Sequence, residues 1–131
     1  MVALGLLLIR VVVGILFIGH GAQKLFGWFG GYGPKGTGGW MDSQGIKPGV
    51  FMAVLAGLME LVGGILFAVG LLTPVGSLLI ALVMIGTFKV HAKNGVWNTA
   101  NGYEFPLVML VVAIGVALIG AGDYSLDALI R

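Results

Sequence analysis

The chain has 131 residues, of which 59% are hydrophobic and only 9% charged, and its mean hydropathy is +1.09. A soluble domain carries about a quarter charged residues, so this composition excludes a water-soluble globular domain, a nucleic-acid-binding protein and a disordered chain. The formal charge of +2 is too small to indicate an acidic partner, and the absence of cysteine excludes disulfides and thiolate metal sites. The sequence therefore predicts an integral membrane protein.

Four apolar stretches, each close to the ~20 residues that cross a bilayer, follow one another along the chain. They cover about residues 2–26, 49–72, 75–91 and 104–121 within one transmembrane domain, residues 1–131. Pro48 opens the second stretch, and Thr73-Pro74 joins the second and third in a tight antiparallel hairpin. An all-α fold is expected, an up-down four-helix bundle in the membrane.

Two segments outside these spans have their own character. Residues 28–40 contain so much glycine that we expect a loop between the first two helices, rich in glycine and aromatic residues. Residues 125–131 are expected to form a short helix at the membrane surface, capped by Ser125. Trp28, Trp40 and Trp97 fall on the loop side, where they either cover a flat lipid-soluble ligand or anchor the loops in the interface.

Ionisable side chains within the spans are the first candidates for function, because a charge in hydrocarbon costs several kcal/mol unless it is paired or hydrated. At about 1.5 Å per helical residue, Glu60, Lys89, His20 and His91 share a narrow depth band. Small residues surround Glu60 at helical spacing and place its carboxylate at a contact between helices; they are Ala56, Gly57, Gly63 and Gly64. Arg10 is the simplest ion-pair partner, and the pair serves either proton handling or only helix register.

The ends of the first and third spans resemble each other. The first span ends with His20 and Lys24 before Trp28, while the third ends with His91 and Lys93 before Trp97. Either a parallel repeat delivers histidine, lysine and tryptophan to one site on the loop side, or the match arises by chance.

Three stretches of sequence form a recognisable pattern: Leu8-Ile-Arg10…Gly14…Phe17…His20-Gly21…Lys24-Leu25, Met59-Glu60…Gly63-Gly64…Gly70…Thr73-Pro74 and Gly120-Ala-Gly122-Asp-Tyr-Ser125-Leu-Asp127. Taken together, they resemble the DoxX family of small four-helix membrane proteins over about residues 5–128. The resemblance implies a link to quinone-coupled oxidoreductase complexes and a prokaryotic plasma membrane. The positions that match the family's polar pattern, and so the catalytic candidates, are Arg10, His20, Lys24 and Glu60.

The preferred hypothesis is a membrane subunit that binds quinone and assists proton or redox transfer in a larger complex or oligomer. His20 or His91 would hydrogen-bond a quinone carbonyl and Lys24 or Lys89 would stabilise negative charge, while a partner supplies the electrons. The cofactor-binding candidates are Lys89, His91, Trp28, Trp40 and Trp97.

Three alternatives remain open at this point. A non-catalytic assembly subunit would bind other transmembrane helices through its glycines at 14, 57, 63, 64, 115 and 120. Haem ligation by His20 and His91 is less favoured, because two histidines at similar depth arise easily. Transport is also less favoured, because four helices are few for a transporter. Each reading places the chain in contact with membrane lipid and none involves nucleic acid.

Overall fold

The structure, a computed structural model, describes residues 1–130 as an all-helical bundle. Its α-helices are α1 (Val2–Phe26), α2 (Gly33–Ser43), α3 (Gly49–Val69), α4 (Thr73–His91), α5 (Glu104–Ile119) and α6 (Leu126–Ile130). Two short 3₁₀ turns, Ala92–Asn94 and Asn98–Ala100, lie between α4 and α5. The predicted all-α membrane fold is confirmed. Arg131, the last residue of the expected C-terminal helix, lies outside the described residues.

Three helices, Val2–Phe26, Gly49–Val69 and Thr73–Asn94, are long and apolar enough to cross a bilayer. The apolar helix α5 has 16 residues and therefore spans about 24 Å, slightly less than the ~30 Å hydrocarbon core. Large apolar side chains project outward along these helices, among them Leu8 and Ile15 of α1 and Val111 and Leu118 of α5. Such an apolar exterior is suited to lipid and not to water.

Glycines at a two-turn spacing hold α1 directly against α3. A Cβ on Gly14 would lie 2.7 Å from the carbonyl oxygen of Gly64, and a Cβ on Gly21 would lie 2.7 Å from that of Gly57. Gly63 makes a similar approach to Gly76 of α4. Gly57, Gly63 and Gly64 around Glu60 thus lie at helix contacts, as expected, whereas Ala56 lines a cavity. Because these contacts form within the chain, Gly14, Gly57, Gly63 and Gly64 do not indicate a partner helix.

The glycine-rich segment after α1 corrects the sequence-based expectation of a loop over residues 28–40, because its residues 33–40 lie in the helix α2, which continues to Ser43. Pro34 lies in its first turn, where a missing backbone N–H costs nothing. Gly38 lies against the backbone of Val50, and Asp42 Oδ1 accepts a hydrogen bond of 3.0 Å from Gly49 N at the start of α3. Packing on α3 therefore outweighs the ~1 kcal/mol that each glycine costs a helix.

A second correction concerns Arg10, which does not pair with Glu60. Its side chain is 1% exposed, and its guanidinium donates hydrogen bonds to the carbonyls of Phe67, Ala68, Ala121 and Tyr124, at 2.6 to 3.3 Å. Two of these carbonyls belong to the last turn of α3, where helical partners are missing, and two belong to the segment after α5. Arg10 therefore joins three parts of the chain at the end of the bundle that holds the α3–α4 turn.

Asp127 of α6 completes this end. Its carboxylate accepts hydrogen bonds from Leu72 N, Thr73 N and Thr73 Oγ1, at 2.8, 3.0 and 2.7 Å. These groups begin α4, so a side chain distant in sequence provides the N-terminal cap of that helix. Ser125 Oγ accepts a hydrogen bond from Ala128 N in α6, as the predicted cap requires.

Candidate ligand-binding site

The opposite end of the bundle, which carries the long loops, contains a cavity of about 330 Å³. We call it the main cavity; it is lined by the end of α1, by α2, and by the facing sides of α3 and α4. Its walls are mostly apolar and include Met41, Ile46, Met52, Leu55, Ala56, Met59, Leu82, Val83, Gly86 and Val90. The polar or amphipathic side chains on the same walls are Lys24, Trp40, Thr87 and His91. An apolar cavity of this size with few polar groups is typical of small-molecule sites.

An ion pair lies at the edge of the main cavity. Lys24 Nζ is 2.6 Å from Glu60 Oε1, and the side chains are 24% and 1% exposed, respectively. The lysine stem passes over Gly57, where a Cβ would lie 3.1 Å from Lys24 Cβ, so the ammonium can reach into the bundle. Lys24, and not the predicted Arg10, neutralises the buried carboxylate.

The imidazole ring of His91 is held at the cavity wall by a hydrogen bond to a backbone carbonyl and by a contact with a tryptophan ring. Nδ1 lies 2.8 Å from the carbonyl oxygen of Asn101, which can only accept, so Nδ1 carries a proton. The ring stacks on Trp40 with centroids 6.3 Å apart and planes inclined by 29°. With Nδ1 protonated, Nε2 of neutral His91 is a hydrogen-bond acceptor, and Nε2 of the imidazolium is a donor.

His20 occupies a different environment from His91. Its ring contacts Phe17 and Phe105, with centroids 5.8 and 5.9 Å away, and Nδ1 lies 3.3 Å from Gln23 Oε1. His20 is not among the residues that line the main cavity, so the two histidines do not face one shared site there. This arrangement lends no support to haem ligation by the pair.

The remaining predicted residues are distributed unevenly around the loop end. Lys89 is exposed and Trp28 and Trp97 are 58% and 68% exposed, and none of the three lines the main cavity. Arg10 lies 14 residues before Lys24 in α1, about 21 Å along the helix axis. The structure therefore brings together Lys24, Trp40 and His91, with Glu60 behind Lys24. The suggested repeat does not deliver equivalent residues to one site.

Sequence reasoning missed the methionines and Thr87 of the main cavity. Met52 and Met59 are seven residues apart on α3, two turns on one face, with Ala56 between them, so their spacing was an available signal. Met41 could not be placed from the sequence because it lies in the connection between the first two spans, where no helix was expected. Methionine side chains adapt their shape and make favourable contacts with aromatic rings, which suits a wall for a flat ligand.

A second cavity of about 290 Å³, here called the vestibule, adjoins the first. Its lining consists of Gln23, Lys24, Gly30, Gly31, Tyr32, Thr37 and Trp40, all from the end of α1, the following turn and α2. Lys24 and Trp40 line both cavities and so form the wall between them.

Comparison with known proteins gives one consistent family. The family model described as DoxX matches residues 5–92. The chain is 35% identical to "Putative oxidoreductase CatD" of Bacillus subtilis over 95% of this chain and 85% of that protein. It is 32% identical to "Inner membrane protein YqjF" of Escherichia coli over 97% and 92%, and 33% identical to an uncharacterized membrane protein of Mycobacterium tuberculosis over 91% and 77%. No solved structure matches the chain.

Proposed function

The chain belongs to the DoxX family of membrane proteins, and on that premise we propose that it binds a quinone in the main cavity as a subunit of a membrane oxidoreductase complex. The name of the relative CatD, which describes an oxidoreductase, supports the redox part of the proposal. The name of YqjF, an inner membrane protein, supports a place in a bacterial plasma membrane. The observation that supports a quinone as the ligand is the main cavity, which is apolar but has Lys24 and His91 on its walls.

The donor set of the cavity suits the chemistry of a quinone. A quinone is a flat, lipid-soluble ring with two carbonyl acceptors, and when bound it supplies two-electron, two-proton redox chemistry. Trp40 and the methionines provide apolar and aromatic contact for the ring. Lys24 provides a hydrogen-bond donor and positive charge for a quinone oxygen, and His91 provides a second polar side chain on the cavity wall.

Each polar residue has a distinct part in the proposal. Lys24 donates to a ligand oxygen and stabilises negative charge there, while Glu60 pairs with the lysine and positions it from the buried side. His91, with Nδ1 committed to Asn101, accepts a proton at Nε2 from a ligand hydroxyl or, once protonated, returns it. Electrons come from a redox centre on another subunit of the complex.

A cavity-filling substitution at Gly86 tests the quinone site. Gly86 lines the main cavity, and a Cβ built on it meets no atom within 4 Å, so Gly86→Leu fills space without displacing the helices. We expect the affinity for a ubiquinone or menaquinone analogue to fall at least about tenfold, since a lost apolar contact of 1.4 kcal/mol has that effect. The measurement is the quenching of tryptophan fluorescence by the quinone in a W28F/W97F background, where Trp40 is the reporter.

Gly115→Leu is the matched control, because a Cβ at Gly115 of α5 also meets nothing within 4 Å and the residue does not line the cavity. Its quinone affinity should equal that of the parent chain. Equal affinities in the Gly86 and Gly115 variants, or an absence of saturable quenching in the parent, would show that the main cavity is not a quinone site.

A further inference from the structure

We propose that the vestibule is filled with water, and that it connects the aqueous phase at the loop end with Lys24 and, behind it, Glu60. The main cavity stays apolar, with Trp40 as the barrier between the two compartments. The proposal that water reaches Lys24 rests only on the two cavities and the residues that line them. The proton-carrying role described below rests on the function proposed above.

The vestibule has a more polar lining than the main cavity, and a polar lining favours water. Side chains of Gln23, Tyr32 and Thr37 line the vestibule with an amide and two hydroxyl groups. Tyr32 is 82% exposed, so this compartment lies at the surface of the protein. A cavity with several polar partners and room for water molecules is hydrated, whereas an apolar cavity remains dry.

Lys24 is the contact between the wet and dry compartments. It lines both cavities, and its ammonium is paired with a carboxylate that is almost completely buried. Water in the vestibule reduces the cost of keeping this pair charged inside the bundle.

This position makes Lys24 a point of proton exchange. A proton that passes from Lys24 Nζ to a ligand oxygen in the main cavity leaves a neutral amine, and hydronium in the vestibule restores the ammonium and becomes water. The ligand is thereby protonated from the loop end of the molecule without water entering the apolar cavity.

Cysteine labelling tests the two compartments, because the natural chain has no cysteine. Three threonines give matched sites: Thr37 lines the vestibule, Thr87 lines the main cavity, and Thr99 is exposed in the loop before α5. Each is changed singly to cysteine, and the proteins in lipid nanodiscs are treated with the anionic reagent sulfonatoethyl methanethiosulfonate. N-ethylmaleimide, a neutral reagent, serves to normalise the reactivity of each thiol.

We expect the normalised rate of T37C to lie within about tenfold of that of T99C, and the rate of T87C to be at least about a hundredfold lower, since an apolar cavity excludes a charged reagent by several kcal/mol. Adding Trp40→Ala to T87C should raise its rate about tenfold or more by opening the barrier. A T37C rate as low as that of T87C would overturn the water-filled vestibule. Equal, fast rates for T37C and T87C, or no effect of Trp40→Ala, would overturn the barrier.

The same variants separate this inference from the proposed function. A bound quinone should slow the reaction of T87C with N-ethylmaleimide and leave that of T37C unchanged. If the quinone protects neither residue while T37C alone remains open to the anionic reagent, the vestibule stands and the quinone site fails.

Discussion

At the scale of single residues, the Lys24–Glu60 pair is asymmetric. The carboxylate is 1% exposed, whereas the lysine is 24% exposed and lines both cavities. Removing the lysine leaves a buried negative charge without a partner, while removing the carboxylate leaves an ammonium that water can reach. The two single substitutions should therefore differ in their effects, although each breaks the same contact.

We expect Lys24→Met to lower the free energy of unfolding by about 3 kcal/mol, the cost of an unpaired buried charge. Glu60→Gln should cost less, and the double variant K24M/E60Q should recover most of the stability because it leaves no charge. Thermal unfolding in detergent measures the three melting temperatures. Equal losses in the two single variants would contradict the proposed hydration of Lys24.

Arg10 shows why residue type alone did not reveal a role. A buried arginine in a membrane helix reads as a functional group or as half of an ion pair. In the structure its guanidinium satisfies backbone carbonyls at the end of α3 and in the segment after α5. Free carbonyls at a helix end are not visible in the sequence as chemical partners, so the match could only emerge from the fold.

At the scale of elements, α2 is the part of the fold that the sequence did not predict. Its intrinsic preference for helix is poor, and its position depends on close contact with α3. This helix provides Trp40 and Met41 to the main cavity. The site therefore depends on the packing of α2 against α3 more than on the intrinsic helix propensity of α2.

Gly38→Ala tests this dependence. A Cβ at Gly38 would lie 2.7 Å from the Cα of Val50, so the methyl group should push α2 away from α3 and weaken ligand binding in the main cavity several-fold. Gly39→Ala is the neighbouring control, because a Cβ there meets nothing within 4 Å. Alanine at 39 should instead raise the stability by up to about 1 kcal/mol through helix propensity. Fluorescence titration and thermal unfolding distinguish these outcomes.

At the scale of the whole molecule, the two ends of the bundle differ in construction. One end is closed by Arg10 and Asp127, which bind the segment after α5 to the α3–α4 turn and to the end of α3. The other end contains the cavities and the long connections. Two contacts join these connections across the bundle: Lys93 Nζ donates to Gln44 Oε1 at 2.9 Å, and Trp40 stacks on His91.

The closed end should respond to acid through Asp127. Burial raises the pKa of this carboxyl, but hydrogen bonds from Thr73 and Leu72 and the charge of Arg10 outweigh it and hold the pKa below the ordinary value of 3.8. The carboxylate therefore contributes stability above pH 3.8, and this contribution is lost as the pH falls through the lowered pKa of the folded protein. The difference in melting temperature between the parent chain and Asp127→Asn should be constant near neutral pH and shrink below about pH 4. A difference that persists undiminished in acid would show that Asp127 does not act as a charged cap.

Composition and periodicity alone determined that this protein is an all-helical membrane bundle, because span length and scarcity of charge are local properties. The depth of ionisable residues in the spans also singled out His20, Glu60, Lys89 and His91, while Lys24 and Trp40 were candidates from the family pattern and from the loop-side tryptophans. Only the tertiary structure decided that Lys24, and not Arg10, pairs with Glu60, that the glycine-rich segment is partly helical, and that the loop end contains two compartments. These features depend on how each helix is rotated and how closely glycines let backbones approach, and such distances arise only when distant parts of the chain pack together.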